Sequence, residues 1–230
     1  MLYTMCMNKR FPHLFVPVFF TFLFAVLALS AQAADPQFLV TWKAQTKVPV
    51  WYEGKALAVQ NSSVLVSLAM VEQSGKLLNL SGSEIRWYLK GELVQKGTGL
   101  TSISVLNKDF SGNYIDLKVS VEYADQQSGR RFIDAYYTIP IVSPKAVVEY
   151  KNLQPSYVAG SDLLVKGYPF FFTNSYLKSE WDLGGSQKVQ DSYELRIEQA
   201  PAGIRSIQFA VWNPSRVLEK AQSTLYLQSN

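Results

Sequence analysis

Beyond residue 35, apolar and polar residues alternate with a period of two along most of the chain. Four segments show the alternation most clearly, at residues 64–70, 85–89, 115–121 and 207–211. Such a period predicts strands that bury one face and expose the other. Glycine-containing turn dipeptides separate the segments, and no stretch keeps a helical period of about 3.6 residues over several turns. The pattern therefore predicts an all-β fold built from antiparallel β-sandwiches.

The two halves of the chain repeat one another weakly. Each half places a tryptophan on a predicted strand, Trp87 in the first and Trp181 in the second, followed by a glycine turn and then by a strong alternating strand. Ser143-Pro144-Lys145 lies between a long strand that closes the first half and a strand that opens the second. A repeat on this scale predicts tandem domains, each with its own core. The predicted domains are residues 35–143 and 146–230.

The first 33 residues have the features of a secretory signal peptide. Lys9 and Arg10 give a positive start, residues 14–29 are almost wholly apolar, and Ala31-Gln32-Ala33 supplies the small residues needed for cleavage. We therefore expect the chain to be exported, with residues 1–33 removed. Left uncleaved, residues 14–33 would form a hydrophobic helix and anchor the protein, because a spanning helix needs about 20 apolar residues.

The mature chain is expected to lack both imidazole and thiol groups. The only histidine, His13, and the only cysteine, Cys6, lie within the predicted signal peptide. This excludes histidine-based catalytic triads, cysteine nucleophiles, disulfides, and the zinc or haem sites built on these ligands. We expect no metal site and no cofactor.

The net charge of the chain gives little information about its partners. The chain has 22 basic and 18 acidic residues, and loss of Lys9 and Arg10 leaves a net charge of +2. So small a charge does not favour nucleic acid as a partner. The carboxylates are scattered, and the sequence has no calcium loop, phosphate loop, dinucleotide fingerprint or nucleophile elbow. We expect no enzyme, although two carboxylates facing across a cleft would suffice for glycoside hydrolysis.

Aromatic residues give the candidate contact sites. Adjacent residues on a strand face opposite ways, so one of Trp51 and Tyr52 is expected to be exposed, where it could stack on a sugar or anchor a protein. Residues 168–172 contain three consecutive phenylalanines, which cannot all face one core on a regular strand. Either a bulge or bend buries them, or at least one, such as Phe171, is exposed and contacts the first domain or another chain. We expect packing between the two domains. Trp87 and Trp181 are expected to pack between the sheets.

Several stretches resemble known domain families. The sequence IRWYLKGELV at 85–94 resembles the core-tryptophan strand and turn of immunoglobulin-like domains. WDLGG at 181–185, with PAG at 201–203 and IQFAVWN at 207–213, resembles the polycystic-kidney-disease-type variant of that sandwich. These resemblances imply two tandem immunoglobulin-like sandwiches, the second of the polycystic-kidney-disease type.

The mature chain is also similar to uncharacterised exported proteins of candidate-phylum bacteria. The matching stretches are FLVTWKA at 38–44, VPVWYEGK at 48–55 and YTIPIV at 137–142. This similarity implies a tandem architecture outside the cytoplasm and carries no catalytic residue that could be transferred.

The function expected from the sequence is a structural or adhesive one. We expect a non-enzymatic module that contacts a protein partner at the cell envelope or surface, through strand edges or aromatic loops. The alternative is a carbohydrate-binding module that uses Trp51 or Tyr52. A carboxylate-based hydrolase is the third possibility.

Overall fold

The structure is a computed structural model that describes residues 35–125, 129–151, 162–184, 188–198 and 204–227. The predicted signal peptide or anchor at 1–33 lies outside these ranges, as do Gly185 and residues 201–203 of the second resemblance. The described part of the chain contains no helix long and apolar enough to cross a membrane. Its regular structure is all β, which confirms the predicted fold class.

Fourteen strands in the described residues form two sandwich-like units. Unit 1 contains β1 (Gln37–Ala44), β2 (Ser63–Val71), β3 (Glu84–Leu89), β4 (Glu92–Thr98), β5 (Ser102–Leu106), β6 (Tyr114–Asp125) and β7 (Gly129–Pro140). Unit 2 contains β8 (Lys145–Tyr150), β9 (Leu163–Phe170), β10 (Lys178–Asp182), β11 (Lys188–Gln190), β12 (Glu194–Ile197), β13 (Ser206–Asn213) and β14 (Arg216–Tyr226).

Both units have the same strand order. The first, second and fifth strands of each unit form one sheet, β1-β2-β5 in unit 1 and β8-β9-β12 in unit 2. The remaining strands form the facing sheet, in the orders β4-β3-β6-β7 and β11-β10-β13-β14. All these pairings are antiparallel. This is an immunoglobulin-like arrangement of two antiparallel sheets with Greek-key connections.

The period-two pattern determines which side chains form the two cores. On β6, Ile115, Leu117 and Val119 are buried between the sheets, while Asp116 and Lys118 point away. On β13, the residues that face the second core are Ile207, Phe209 and Val211. The burial pattern predicted from the alternation is therefore confirmed on these strands.

Trp87 and Trp181 occupy equivalent places in the two units. Both side chains are completely buried. The indole Nε1 of Trp87 donates a hydrogen bond to the carbonyl of Leu100, and that of Trp181 donates to the carbonyl of Ser192, each at 2.9 Å. Each carbonyl lies just before the fifth strand of its unit, β5 or β12. In both units the single N–H donor of the buried indole is therefore satisfied in the same way.

A segment of unit 1 joins the two units. Residues 45–62, between β1 and β2, reach the end of β9. The amide of Lys47 donates to the carbonyl of Phe172, and the amide of Phe171 donates to the carbonyl of Lys47, both at 2.6 Å. Burial lowers the pKa of the Lys47 ammonium group, which donates to the carbonyl of Ser175. The units are thus connected both by residues 141–144 and by this segment.

A bend in the chain distributes the three consecutive phenylalanines between two clusters. Strand β9 ends at Phe170, and Phe171 adopts a left-handed conformation with φ of 64°. The bend directs Phe172 into the core of unit 2. Phe170 and Phe171 instead belong to a separate cluster with residues of the 45–62 segment, here called the junction cluster. All three rings are buried, as a bend allows and a regular strand would not.

Candidate functional site

Trp51 and Tyr52 lie in a turn and not on the strand that the sequence interpretation assumed. The turn is closed by a hydrogen bond from the amide of Tyr52 to the carbonyl of Pro49 at 3.0 Å. Trp51 is 57% exposed, and its ring meets Tyr168 and Phe170 edge-on, with centroids 5.1 and 6.1 Å apart. Trp51 therefore keeps one open side at the junction between the units.

Tyr52 and Phe171 face each other inside the junction cluster. Their ring centroids are 6.3 Å apart, and Tyr52 also packs against Phe170 at 5.2 Å. Phe171 is only 4% exposed, so its side chain is not available at the surface. Of the three candidate contact residues, the structure brings these two together as a contact between units. Trp87 and Trp181 lie apart from them, in separate cores.

A different set of aromatic side chains lies on the outer side of the sheet β4-β3-β6-β7. We call this surface the aromatic face. It is formed by the outward positions of β3, β6 and β7 and carries Tyr88, Tyr114, Phe132 and Tyr136. Tyr136 is 71% exposed, and Tyr114 and Phe132 are exposed too. The sequence interpretation did not select this surface.

One row across the aromatic face holds a lysine between two tyrosines. The register places Lys118 of β6 opposite Tyr88 of β3 and Tyr136 of β7. The Lys118 ammonium lies 5.2 Å from the centroid of the Tyr88 ring and 5.6 Å from that of Tyr136. These distances are within the range of cation–π contacts. The ammonium also forms an ion pair with Asp134 at 2.7 Å.

The hydrogen bond to Asp134 raises the pKa of Lys118. For Asp134, burial alone would raise the carboxyl pKa, but hydrogen bonds from Lys118 and from the hydroxyl of Ser120 outweigh it and lower the pKa. Both groups are therefore charged at neutral pH. The pair fixes the lysine between the tyrosine rings and leaves little net charge there.

A second cation–aromatic contact lies farther along the aromatic face. The Arg86 guanidinium sits 4.1 Å from the centroid of the Phe132 ring and pairs with Glu84 at 2.6 Å. Arg130 pairs with Glu122 at 3.7 Å. Most charges of the aromatic face are thus compensated within the face, between its exposed rings.

The aromatic face has a depression of about 350 Å³, which is large enough for a small ligand. It is lined by Gly91, Asp116, Leu117, Lys118, Tyr136, Tyr137 and Thr138. Asp116 and Thr138 are opposite one another on β6 and β7. No side chain of the described residues bonds to the Asp116 carboxylate, although its backbone carbonyl accepts from the amide of Lys90. The depression therefore offers an unpaired carboxylate beside an exposed ring.

The equivalent row of unit 2 carries no aromatic residue. In the strand register Trp181 lies opposite Phe209, as Trp87 lies opposite Val119. The next register position in unit 2 therefore corresponds to the row of Tyr88, Lys118 and Tyr136 in unit 1. In unit 2 that row holds Asp182, Gln208 and Thr224. The same fold is therefore built without aromatic side chains at these positions.

Among the described residues, no group of three or more histidine, cysteine, aspartate or glutamate side chains could hold a metal ion. The depression on the aromatic face is lined by a single carboxylate, that of Asp116.

No protein-family model and no curated protein matches the chain. Solved structures with a similar course include the amphioxus IgVJ-C2 molecule, with 12% identity over 75% of this chain and 99% of that one and a TM-score of 0.32. The fibronectin(III)-like modules of Clostridium thermocellum CbhA have 12% identity over 83% of this chain and 95% of theirs, with a TM-score of 0.29. Bacteroides ovatus SGBP-B, solved with a mixed-linkage heptasaccharide, has 10% identity over 86% of this chain and 72% of its own, with a TM-score of 0.27. Likenesses at this level carry no argument about function, and the strand order described above is what defines the fold here.

Proposed function

We propose that the protein is an exported, non-enzymatic contact module that binds carbohydrate at the cell envelope or surface through the aromatic face of unit 1. Export rests on the signal-peptide features of residues 1–33. The binding role rests on one observation. Exposed aromatic side chains are gathered on one face of unit 1, and the matching row of unit 2 lacks them.

The comparison between units separates function from folding. Unit 2 forms the same sheet with Asp182, Gln208 and Thr224 in the row where unit 1 has Tyr88, Lys118 and Tyr136. Rings in that row are therefore not required by the fold. Exposed clusters of large apolar side chains mark binding surfaces in soluble proteins.

The chemistry of the aromatic face suits a sugar. A pyranose presents a face of C–H groups that packs on an aromatic ring and a rim of hydroxyl groups that donate and accept hydrogen bonds. Tyr88 and Tyr136 lie two strands apart, roughly 10 Å, with Lys118 between them. A chain of sugars lying across the strands would meet rings and polar groups in alternation.

Binding without catalysis agrees with the acidic groups that are present. Glycoside hydrolysis uses two carboxyl groups flanking the bond that is cut. The depression has Asp116 alone, and the carboxylate of Asp134 is engaged by Lys118 and Ser120.

Retention on polysaccharide tests the proposal. Mature protein would be incubated with insoluble cell-wall polysaccharides and with envelopes of the source cells, then compared with a Tyr88→Ser/Tyr136→Ser double variant. We expect the protein to be retained and the double variant to be lost. Tyr226→Ser is the matched control, because Tyr226 is an exposed tyrosine on the equivalent sheet of unit 2. If Trp51→Ala lost retention and the Tyr88→Ser/Tyr136→Ser variant kept it, the binding site would lie at the junction and the proposal would be overturned.

A protein partner is the second candidate, favoured by the size of the face. The four strands of this sheet have 6, 7, 12 and 12 residues, which at about 3.3 Å per residue and 4.8 Å between strands gives an area of roughly 590 Å². A standard protein interface buries about 800 Å² on each side and is enriched in tyrosine and arginine. Retention on envelopes that is lost after protease treatment and unaffected by periodate oxidation of the glycans would establish this alternative.

A further inference from the structure

We infer that the depression lined by Asp116, Lys118, Tyr136 and Thr138 is a subsite for a single neutral pyranose ring. The inference rests on the proposed carbohydrate-binding function and names the class of sugar. The inference depends on the groups that line the depression, and not on the whole row of Tyr88, Lys118 and Tyr136.

The depression is large enough for a sugar ring. The depression has a volume of about 350 Å³ and lies against Tyr136, the most exposed ring of the aromatic face. Gly91, in the β3–β4 turn, closes one end without a side chain. The ring of Tyr136 contributes an apolar wall, while Leu117, between Asp116 and Lys118 on β6, has its own side chain in the core of unit 1. Pockets for small ligands combine such apolar walls with a few polar groups.

The polar groups include both donors and acceptors. The Asp116 carboxylate has no bonding partner among the described side chains, and it can accept two hydroxyl protons. Lys118 has three N–H donors, and its ion pair with Asp134 leaves donors available. The hydroxyl of Thr138, opposite Asp116, can donate or accept. Only a ligand that itself donates and accepts at closely spaced positions, as vicinal hydroxyls do, would satisfy all three.

The charges of the depression select against charged sugars. An acidic sugar would bring its carboxylate to the unpaired Asp116, and like charges repel. An amino sugar would bring its ammonium between Asp116, which attracts it, and Lys118, which repels it and which its bond to Asp134 keeps charged. A neutral sugar avoids both contacts while using the same hydrogen bonds.

Three oligosaccharides of matched length test the inference: cellotetraose, tetragalacturonate and the glucosamine tetramer, with neutral tetramers of mannose and xylose beside them. Affinities would be measured by calorimetry, and the binding site mapped by amide chemical-shift changes. We expect a neutral tetramer to bind best and to shift the amides of residues 116, 118, 136 and 138. Asp116→Asn and Thr138→Val should each weaken binding about tenfold, as expected for the loss of a hydrogen bond to a sugar hydroxyl.

Glu92→Gln is the matched control for Asp116→Asn, because Glu92 is an exposed carboxylate of the same unit that does not line the depression. It should leave the affinity unchanged. Circular dichroism spectra and melting curves would establish that each variant is folded.

The outcomes separate the inference from the proposed function. Tighter binding of the acidic or basic tetramer would overturn the inference. So would unchanged affinity in Asp116→Asn and Thr138→Val, combined with loss of binding in the Tyr88→Ser/Tyr136→Ser variant. In both cases carbohydrate binding by the face would stand. Absence of binding to every tetramer, with no retention on polysaccharide, would overturn both.

Discussion

The ring of Phe209 lies directly against the backbone of Gly167. A Cβ atom built on Gly167 would come within 2.6 Å of two ring carbons of Phe209, too close for any real contact. Phe209 is completely buried and packs on Trp181, so it has little room to move. The absence of a side chain on β9 is therefore what allows Phe209 to fill the core of unit 2.

Gly167→Ala should destabilise unit 2. Forcing a methyl group into a filled core costs about 1–3 kcal/mol of unfolding free energy. Urea unfolding measures the change, and Gly82→Ala is the control, because no atom lies within 4 Å of the Cβ position at Gly82. Equal unfolding midpoints for the two variants would show that the core of unit 2 yields more readily than this contact implies.

Replacing either buried tryptophan by phenylalanine should have a similar cost. Trp87→Phe removes the donor to the carbonyl of Leu100, and Trp181→Phe removes the donor to the carbonyl of Ser192. Each variant should lose about 1–3 kcal/mol of unfolding free energy. The loss should be smaller for Trp181→Phe, because the hydroxyl of Ser179 still donates to the carbonyl of Ser192 at 3.0 Å, whereas the carbonyl of Leu100 loses this donor. Trp51→Phe, at an exposed site with no such bond, should stay within about 0.5 kcal/mol. A Trp51 effect as large as the other two would contradict this account.

Phe170→Ala should loosen the junction between the units. Phe170 contacts Trp51, Tyr52 and Phe171, so truncation removes the centre of the junction cluster. Nitrogen-15 relaxation would then give different rotational correlation times for the two units, whereas the unaltered protein should tumble as one body. Tyr176→Ala is the control, since Tyr176 is an exposed aromatic residue of unit 2. A single correlation time in Phe170→Ala would mean that other contacts suffice to hold the junction.

Acid should disrupt the row of Tyr88, Lys118 and Tyr136. The pKa of Asp134 is lowered in the folded protein, so its ion pair contributes to stability above the unfolded-state pKa of about 3.9. That contribution is lost as the pH falls through the lowered pKa of the folded state. The raised pKa of Lys118 keeps the pair intact at neutral and mildly alkaline pH.

Side-chain carbon shifts of Asp134 and ring-proton shifts of Tyr136, followed from pH 7 to pH 2, would measure this transition. In Asp134→Asn the ring shifts of Tyr136 should no longer follow the acid transition. Unchanged ring shifts in the protein with Asp134 would show that the ion pair does not position the lysine.

The fold could be predicted from the sequence because its signal is local. The strands that form the cores carry their own alternation, as the buried Ile115, Leu117 and Val119 of β6 show. The repeated tryptophan marks the third strand of each unit, and the turn glycines follow the strands. The sequence did not predict the hydrogen bond from the indole of Trp87 to the carbonyl of Leu100, nor the equivalent bond from Trp181 to Ser192. In each unit the acceptor comes from a loop whose path depends on the whole unit.

The candidate contact residues were harder to place. Tyr52 and Phe171 are conspicuous in the sequence, but their environment depends on how residues 45–62 cross to unit 2 and on the left-handed backbone of Phe171. Neither feature has a local pattern, since a bulky residue at positive φ is uncommon.

The aromatic face did have a sequence signal. Tyr88, Phe132 and Tyr136 stand at the outward phase of strands whose other phase is buried or partly buried, where polar residues are the usual choice. Their alignment across β3, β6 and β7 needed the strand register, which a period-two pattern does not specify between distant strands.

The double connection between the units has a mechanical consequence. The segment 45–62 that bonds to Phe171 and Phe172 is held at both ends by β1 and β2, which pair along all of β1. Tension applied to unit 2 is therefore shared between residues 141–144 and a loop rooted in the first sheet of unit 1. When force is applied to unit 2, the two units should move as one rigid body. A ligand bound to the aromatic face would then experience a rotational force as well as a stretching force.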